Sequence, residues 1–184
     1  GFLDKNKHIY GRFDYSGERF RTFLFVQNLG ENYFADLGFN ARINNYNPVT
    51  DEVVRIGYTQ IGSMLNYYIY PDSEKINFHW SGIENFIVIN NGGLLNEWYT
   101  RFRHFIFLQN TSELRFRLNH IYTDLIFPFQ LTETALPAGK YDNWEFNIQL
   151  NSDTRRDINF SLFSVYGGFY NGNKLTNTFD INFR

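Results

Sequence analysis

The chain has 184 residues, a length that suits one domain or a part of a larger one. It contains no cysteine, which excludes disulfide scaffolds, cysteine-ligated zinc and thiol catalysis; its formal charge of −2, from 17 basic against 19 acidic residues, lacks the basic footprint of a nucleic-acid binder. Mean hydropathy is −0.41 and no apolar run is long enough for a membrane helix, yet 20% of the residues are aromatic, with 21 Phe, 13 Tyr and 3 Trp. Such a composition reads as all-β. It leaves a membrane barrel open, because barrels hide their apolar face by alternation.

The opening Gly1-Phe2-Leu3-Asp4-Lys5-Asn6-Lys7 lacks the apolar centre of a secretory signal, which fits an internal protein or one whose leader has been removed. Period-2 segments follow at 8–15, 18–28, 52–60, 63–70 and 75–90. Between the second and third, residues 29–39 are less regular and read as a connection crossing the sheet edge or interior. Asn45-Tyr46-Asn47-Pro48 reads as a turn.

From Trp98 the alternation is clear. Trp98, Phe102, Ile106 and Leu108 alternate with Glu97, Tyr99, Arg101 and Arg103; Leu114, Phe116, Leu118 and Tyr122 alternate with Glu113, Arg115, Arg117 and Asn119. The pattern returns at Trp144–Leu150, Ile158–Tyr166 and Leu175–Phe183. Each strand therefore has one apolar and one polar face.

A soluble sandwich would pack the apolar face inward, whereas an outer-membrane barrel would turn it to lipid. A tight turn at residues 110–112, with Leu108 opposite Leu114, puts Trp98 and Tyr122 at the same far end, and the next two strands bring Trp144 and Tyr166 to that rim. Ten residues at about 3.4 Å, tilted about 40°, rise roughly 26 Å, close to an apolar band of about 25 Å. Trp and Tyr favour its edges because their rings are amphipathic. Connections at the Leu end, 110–112 and 152–156, are short, while those at the aromatic end, 123–140 and 167–173, are longer, which orients the aromatic rim outward.

Leu136-Pro137-Ala138-Gly139-Lys140-Tyr141, then Asn151-Ser152-Asp153-Thr154-Arg155-Arg156, then Tyr166-Gly167-Gly168-Phe169-Tyr170-Asn171-Gly172 resembles the C-terminal region of the domain of unknown function 5916 family of Bacteroidetes-type proteins. Members usually carry an N-terminal carbohydrate-binding, family 9-like domain followed by an outer-membrane β-barrel region. Gly30–Phe39 falls where that family has a Gly-Phe-Val-Pro-Arg type run, with Asn40-Ala41-Arg42 replacing its middle. The resemblance spans nearly the whole chain. It implies that residues 1–184 are a single β-barrel region of a longer protein, and it assigns no activity to any residue.

Chemistry is sparse. His104 and His120 fall on the apolar stripe as diagonal cross-strand neighbours, with no carboxylate nearby on their face; this favours a patch covered by another protein over a metal pair. Glu97 and Glu113 lie too far apart for a glycosidase pair, and no nucleophile elbow, P-loop or zincin motif occurs. Tyr33, Tyr46, Tyr67, Tyr68, Trp80 and Tyr170 are candidates for a sugar-stacking surface, against the plainer readings of core packing or a membrane girdle. Arg101, Arg103, Arg115 and Arg117 share the polar face and need water or carboxylates, which Glu97, Glu113, Glu145 and segment 29–47 would supply in a lumen.

The expectation is an all-β, antiparallel up-and-down meander that forms part of a barrel in a bacterial outer membrane. Trp98, Tyr122, Trp144 and Tyr166 stand at the interface, the four arginines line the lumen, and His104 and His120 contact a partner. The role is structural, transport-related or surface-glycan-related, without catalysis, metal or cofactor. Its partners are outer-membrane lipid and protein partners or glycans, not nucleic acid. The alternatives are a soluble β-sandwich or barrel that binds glycans or ligands, and part of an outer-membrane hydrolase with its catalytic groups elsewhere.

Overall fold

The computed structural model describes residues 5–34, 41–130 and 134–183. The strands are β1 (His8–Ser16), β2 (Phe20–Leu29), β3 (Asn44–Asn47), β4 (Glu52–Arg55), β5 (Tyr58–Ile69), β6 (Ile76–Asn90), β7 (Leu95–Leu108), β8 (Glu113–Leu125), β9 (Gly139–Asn151), β10 (Ile158–Phe169) and β11 (Gly172–Phe183). Nine of them form one sheet in the order β1-β2-β5-β6-β7-β8-β9-β10-β11, and each adjacent pair is antiparallel. The short strands β3 and β4 make a hairpin within the connection from β2 to β5. The chain is thus an all-β, antiparallel up-and-down meander. β1 and β11 are the two edges of the sheet.

The period-2 pattern decides what each face carries. On one face stand Phe13, Leu24, Leu65, Ile83, Phe102, Leu118, Phe146, Leu162 and Phe179, placed there by the pairing registers. Most of these large apolar side chains are exposed. The opposite face carries Arg101, Arg103, Arg115, Arg117, Glu84, Asn66, Asn119, Glu145 and Lys174, and Asn66, Asn119, Glu145 and Asn147 there are buried. The usual distribution is inverted: ionic groups are sheltered and hydrocarbon is bare.

Three glycines shape the charged face. Gly62 lies in register between Phe25 and Phe86, whose rings meet 6.1 Å apart across it. Gly82 lies between Asn66 and Arg103, which hydrogen-bond across it at 3.3 Å, and Gly167 lies between Glu145 and Lys174, which form an ion pair across it. Second-neighbour strands stand about 9.6 Å apart at ordinary spacing, so side-chain contact between them needs a bare central residue and favours bending toward that face. Aromatic pairs add to the packing: Trp80 on Phe105 and Phe78 on Phe107, each at 4.4 Å, are worth about 0.5–1.5 kcal/mol apiece beyond their burial.

The connection from β2 to β5 folds back onto the charged face. Ile43, in a 3-10 turn (Ala41–Ile43), is 1% exposed and packs with Leu29, Tyr58 and Val88. Arg55 ties this excursion down by donating to the carbonyls of Glu31 and Tyr33 and to Asn44 Oδ1. Residues 35–40, part of the irregular run and of the Gly30–Phe39 and Asn40–Arg42 comparison, lie outside the described residues, as do 131–133.

Several expected boundaries move. Segments 52–60 and 63–70 redivide at Ile56-Gly57 into β4 and a continuous β5, and Asn44–Asn47 is a strand whose turn follows at residues 48–51. The turn after β7 takes residues 109–112, so Ile106, not Leu108, faces Leu114. β10 and β11 run to a two-residue turn at Tyr170-Asn171 instead of the longer connection at 167–173, because Gly167 and Gly168 pair within the ladder.

Candidate functional site

Trp98, Tyr122, Trp144 and Tyr166 share the apolar face at the end where β7 and β9 begin, and Trp98, Trp144 and Tyr166 are 41%, 53% and 61% exposed. Trp98 faces Tyr122 directly; Trp144 sits two residues beyond Asp142, the partner of Tyr122; Tyr166 faces Phe146, two residues further on. Over three strand steps the rim therefore slides by four residues, always in the same sense. A level line across strands tilted about 40° slides about 1.2 residues per strand.

Four arginines stand mid-strand on the charged face. Arg103 lies directly opposite Arg117. Glu84, directly opposite Arg101, lies 3.7 Å from Arg101 and 3.8 Å from Arg103. Arg115 pairs with Glu113 at 2.5 Å. Arg101 donates to Asn119 Oδ1 and Arg117 to Gln149 Oε1. The guanidiniums lie over aromatic rings: Arg101 over Tyr99, Arg103 over Trp80, Arg117 and Arg115 over Phe105. Two of the expected acidic partners go elsewhere, Glu145 to Lys174 and Glu97 to Arg42. The described part of the irregular segment 29–47 thus brings a cation, Arg42, to Glu97, one of the expected partners of the arginines.

The histidines differ from expectation. His104 faces Phe116 and His120 faces Thr100, so they are four residues apart in register, not diagonal neighbours. A carboxylate does reach His120: Asp142 Oδ1 lies 2.7 Å from its Nε2. His120 sits between the rings of Trp98 and Trp144, at 5.2 and 4.9 Å. His104 Nδ1 meets Ser81 Oγ at 2.8 Å, and its ring lies against His79. Ser63, Asn85, Thr100 and His120 stand directly opposite one another across four strands, with Thr100 donating to Asn85 at 2.6 Å. This polar row on the apolar face went unread because it exists only once the strands are aligned. Among the described residues no group of three or more His, Asp or Glu is placed to hold a metal ion.

The proposed sugar-stacking aromatics form no common surface. Tyr67 is on the apolar face, Tyr68 packs at a tilt on buried Trp80 on the charged face, Tyr33 packs against the Ile43 cluster, and Tyr170 packs on Tyr141. Tyr46 instead lines a cleft of about 500 Å³ at the aromatic end, with Asn44, Asn45, Asn96, Glu97 and Asp124. Glu84 and Asn66, which contact the arginines, were also missed, and Asn119 was read as a polar-face residue but not as the partner of Arg101, since each joins the arginines only through register.

Compared with protein-family models, curated proteins and solved structures, the chain matches none.

Proposed function

We propose that the nine-stranded sheet is wall of an outer-membrane β-barrel, with its apolar face in lipid and its charged face toward the lumen. The observation that carries this reading is the inverted burial: Phe102, Leu118 and Phe146, adjacent across three strands, are all 40% exposed or more, while Arg103 and Glu84 on the other face are about 15% exposed. Fully burying such an apolar side chain is worth roughly 1.5–3 kcal/mol, and a bare surface this extensive calls for an apolar neighbour. The staggered rim of Trp98, Tyr122, Trp144 and Tyr166 supports lipid as that neighbour. A soluble sandwich would need a second layer on this face, and the excursion through Ile43 packs on the other one. The resemblance over residues 136–172 points the same way.

Within this reading the protein serves as a structural or transport wall with no catalysis of its own. The cleft beside Tyr46 opens at the outward rim and suits a surface-glycan role. The polar row through His120, with His104 and His79 beyond it, is the part of the lipid-facing surface suited to a protein partner.

Lipid insertion separates this proposal from the soluble alternative. In bilayers containing brominated lipid, Trp98 and Trp144 should be quenched and Trp80 spared, so a W98F/W144F double variant loses most quenching and W80F loses little. Folded, monodisperse protein without detergent that shows no quenching by brominated lipid would end the membrane reading.

A further inference from the structure

We infer that Arg101, Arg103 and Arg117 form a binding site for a small oxyanion solute, of the phosphate, sulfate or carboxylate class. Cross-strand partners of like charge repel, and here Arg103 and Arg117 are direct partners with Arg101 two residues away on the same face. Two of these three guanidiniums, those of Arg101 and Arg103, face one carboxylate, Glu84, at 3.7 and 3.8 Å, beyond hydrogen-bond length, and Arg117 has no ion-pair partner among the described residues. The remaining partners, Asn119, Asn66 and Gln149, are neutral amides. The next carboxylates on this face are engaged: Glu113 with Arg115 and Glu145 with Lys174. Among the described residues, the group therefore carries two positive charges more than its neighbours neutralise.

The donors are also prepared to bind. Arg103 Nε is buried without a hydrogen-bond partner, and the guanidiniums of Arg103, Arg117 and Arg101 lie over the rings of Trp80, Phe105 and Tyr99. Planar guanidiniums with spare N–H donors match the oxygens of phosphate and carboxylate, and preorganisation lowers the entropy lost on binding. Arg103 is the ninth of 14 residues in β7 and Arg117 the fifth of 13 in β8. That mid-strand level is away from both rims, which suits a small dissolved anion and not a lipid headgroup. The site depends on the register of β5 to β9 and not on what covers the apolar face, so it stands apart from the membrane reading.

Calorimetric titration of the folded chain with inorganic phosphate, against chloride at equal ionic strength, tests this. Phosphate strengthens burial generally, so the readout is saturable heat and not a melting temperature. Saturable binding is expected in the wild type, weakened about tenfold or more in R117Q, as for loss of one charge-assisted contact. E84Q, which removes the competing carboxylate, should bind more tightly. No saturable binding in the wild type, or unchanged affinity in R117Q, overturns the site. If R117Q does not fold, E84Q decides: equal or weaker affinity rejects the proposal. Phosphate binding by protein that is not quenched by brominated lipid would leave the site intact and reject only the barrel.

Discussion

Lys174 on β11 and Glu145 on β9 form an ion pair at 2.5 Å across the intervening strand, directly over Gly167 of β10. Glu145 is 8% exposed and also accepts a hydrogen bond from Asn119 of β8, so one carboxylate links β8, β9 and β11. The link requires a bare position at 167. A Cβ there would press on the backbone of Trp144 and Glu145, and any longer side chain would occupy the path of Lys174.

G167V should therefore destabilise the sheet by about 1–3 kcal/mol, the usual cost of forcing atoms into a packed site. K174M should cost more than E145Q/K174M, because it strands a sheltered carboxylate that the double variant neutralises. Urea unfolding in detergent measures both. Additive losses in the double variant would show that the two side chains do not act as a pair.

The same glycine explains where sequence reading stops. Strands β7, β8, β9 and β10 are legible because their apolar residues keep period 2 over a dozen positions. Gly167-Gly168 reads as loop because glycine is depleted in strands, and only the partner across it reveals why it is there. The aromatic rim is legible because Trp98, Tyr122, Trp144 and Tyr166 each end an alternating run. Glu84 is not, because its role follows from pairing with Arg101 across a turn at residues 91–94, and a shift of two residues would move it away. The same sensitivity placed Leu108 against Leu114 when the turn is one residue longer. Parity, and so the face of each residue, survives that error; the identity of each partner does not.

Charge on the bare face gives a sharper test of its surroundings. Phe102 lies mid-strand on the apolar face, beside Leu118. In a bilayer, F102R should cost about 2–4 kcal/mol, the penalty for Arg near the midplane on a lipid-facing strand. If that face met water, F102R would be close to neutral and would improve solubility. Refolding into vesicles with urea titration distinguishes the two, and a neutral result in vesicles would remove lipid as the neighbour of Phe102.

Protonation of Asp153 should release the two turns at the opposite end of the sheet from each other. Thr111, in the turn after β7, donates to Asp153 Oδ1 at 3.0 Å, and Arg155 holds the same carboxylate with both its guanidinium and its backbone N–H. The Arg155 hydrogen bonds are the main reason that the Asp153 carboxyl titrates well below the ordinary carboxylate range, while the same pairing raises Arg155. A group whose pKa falls on folding contributes stability above its unfolded pKa of about 3.9, and loses it as pH drops through the lower folded value. D153N lacks that contribution at neutral pH. Wild type should therefore remain more stable than D153N from pH 7 to about 4, with the gap closing only under more acidic conditions. Unfolding midpoints across that pH range measure the gap, and convergence already by pH 5 would mean that the carboxylate is not held by Arg155 in solution.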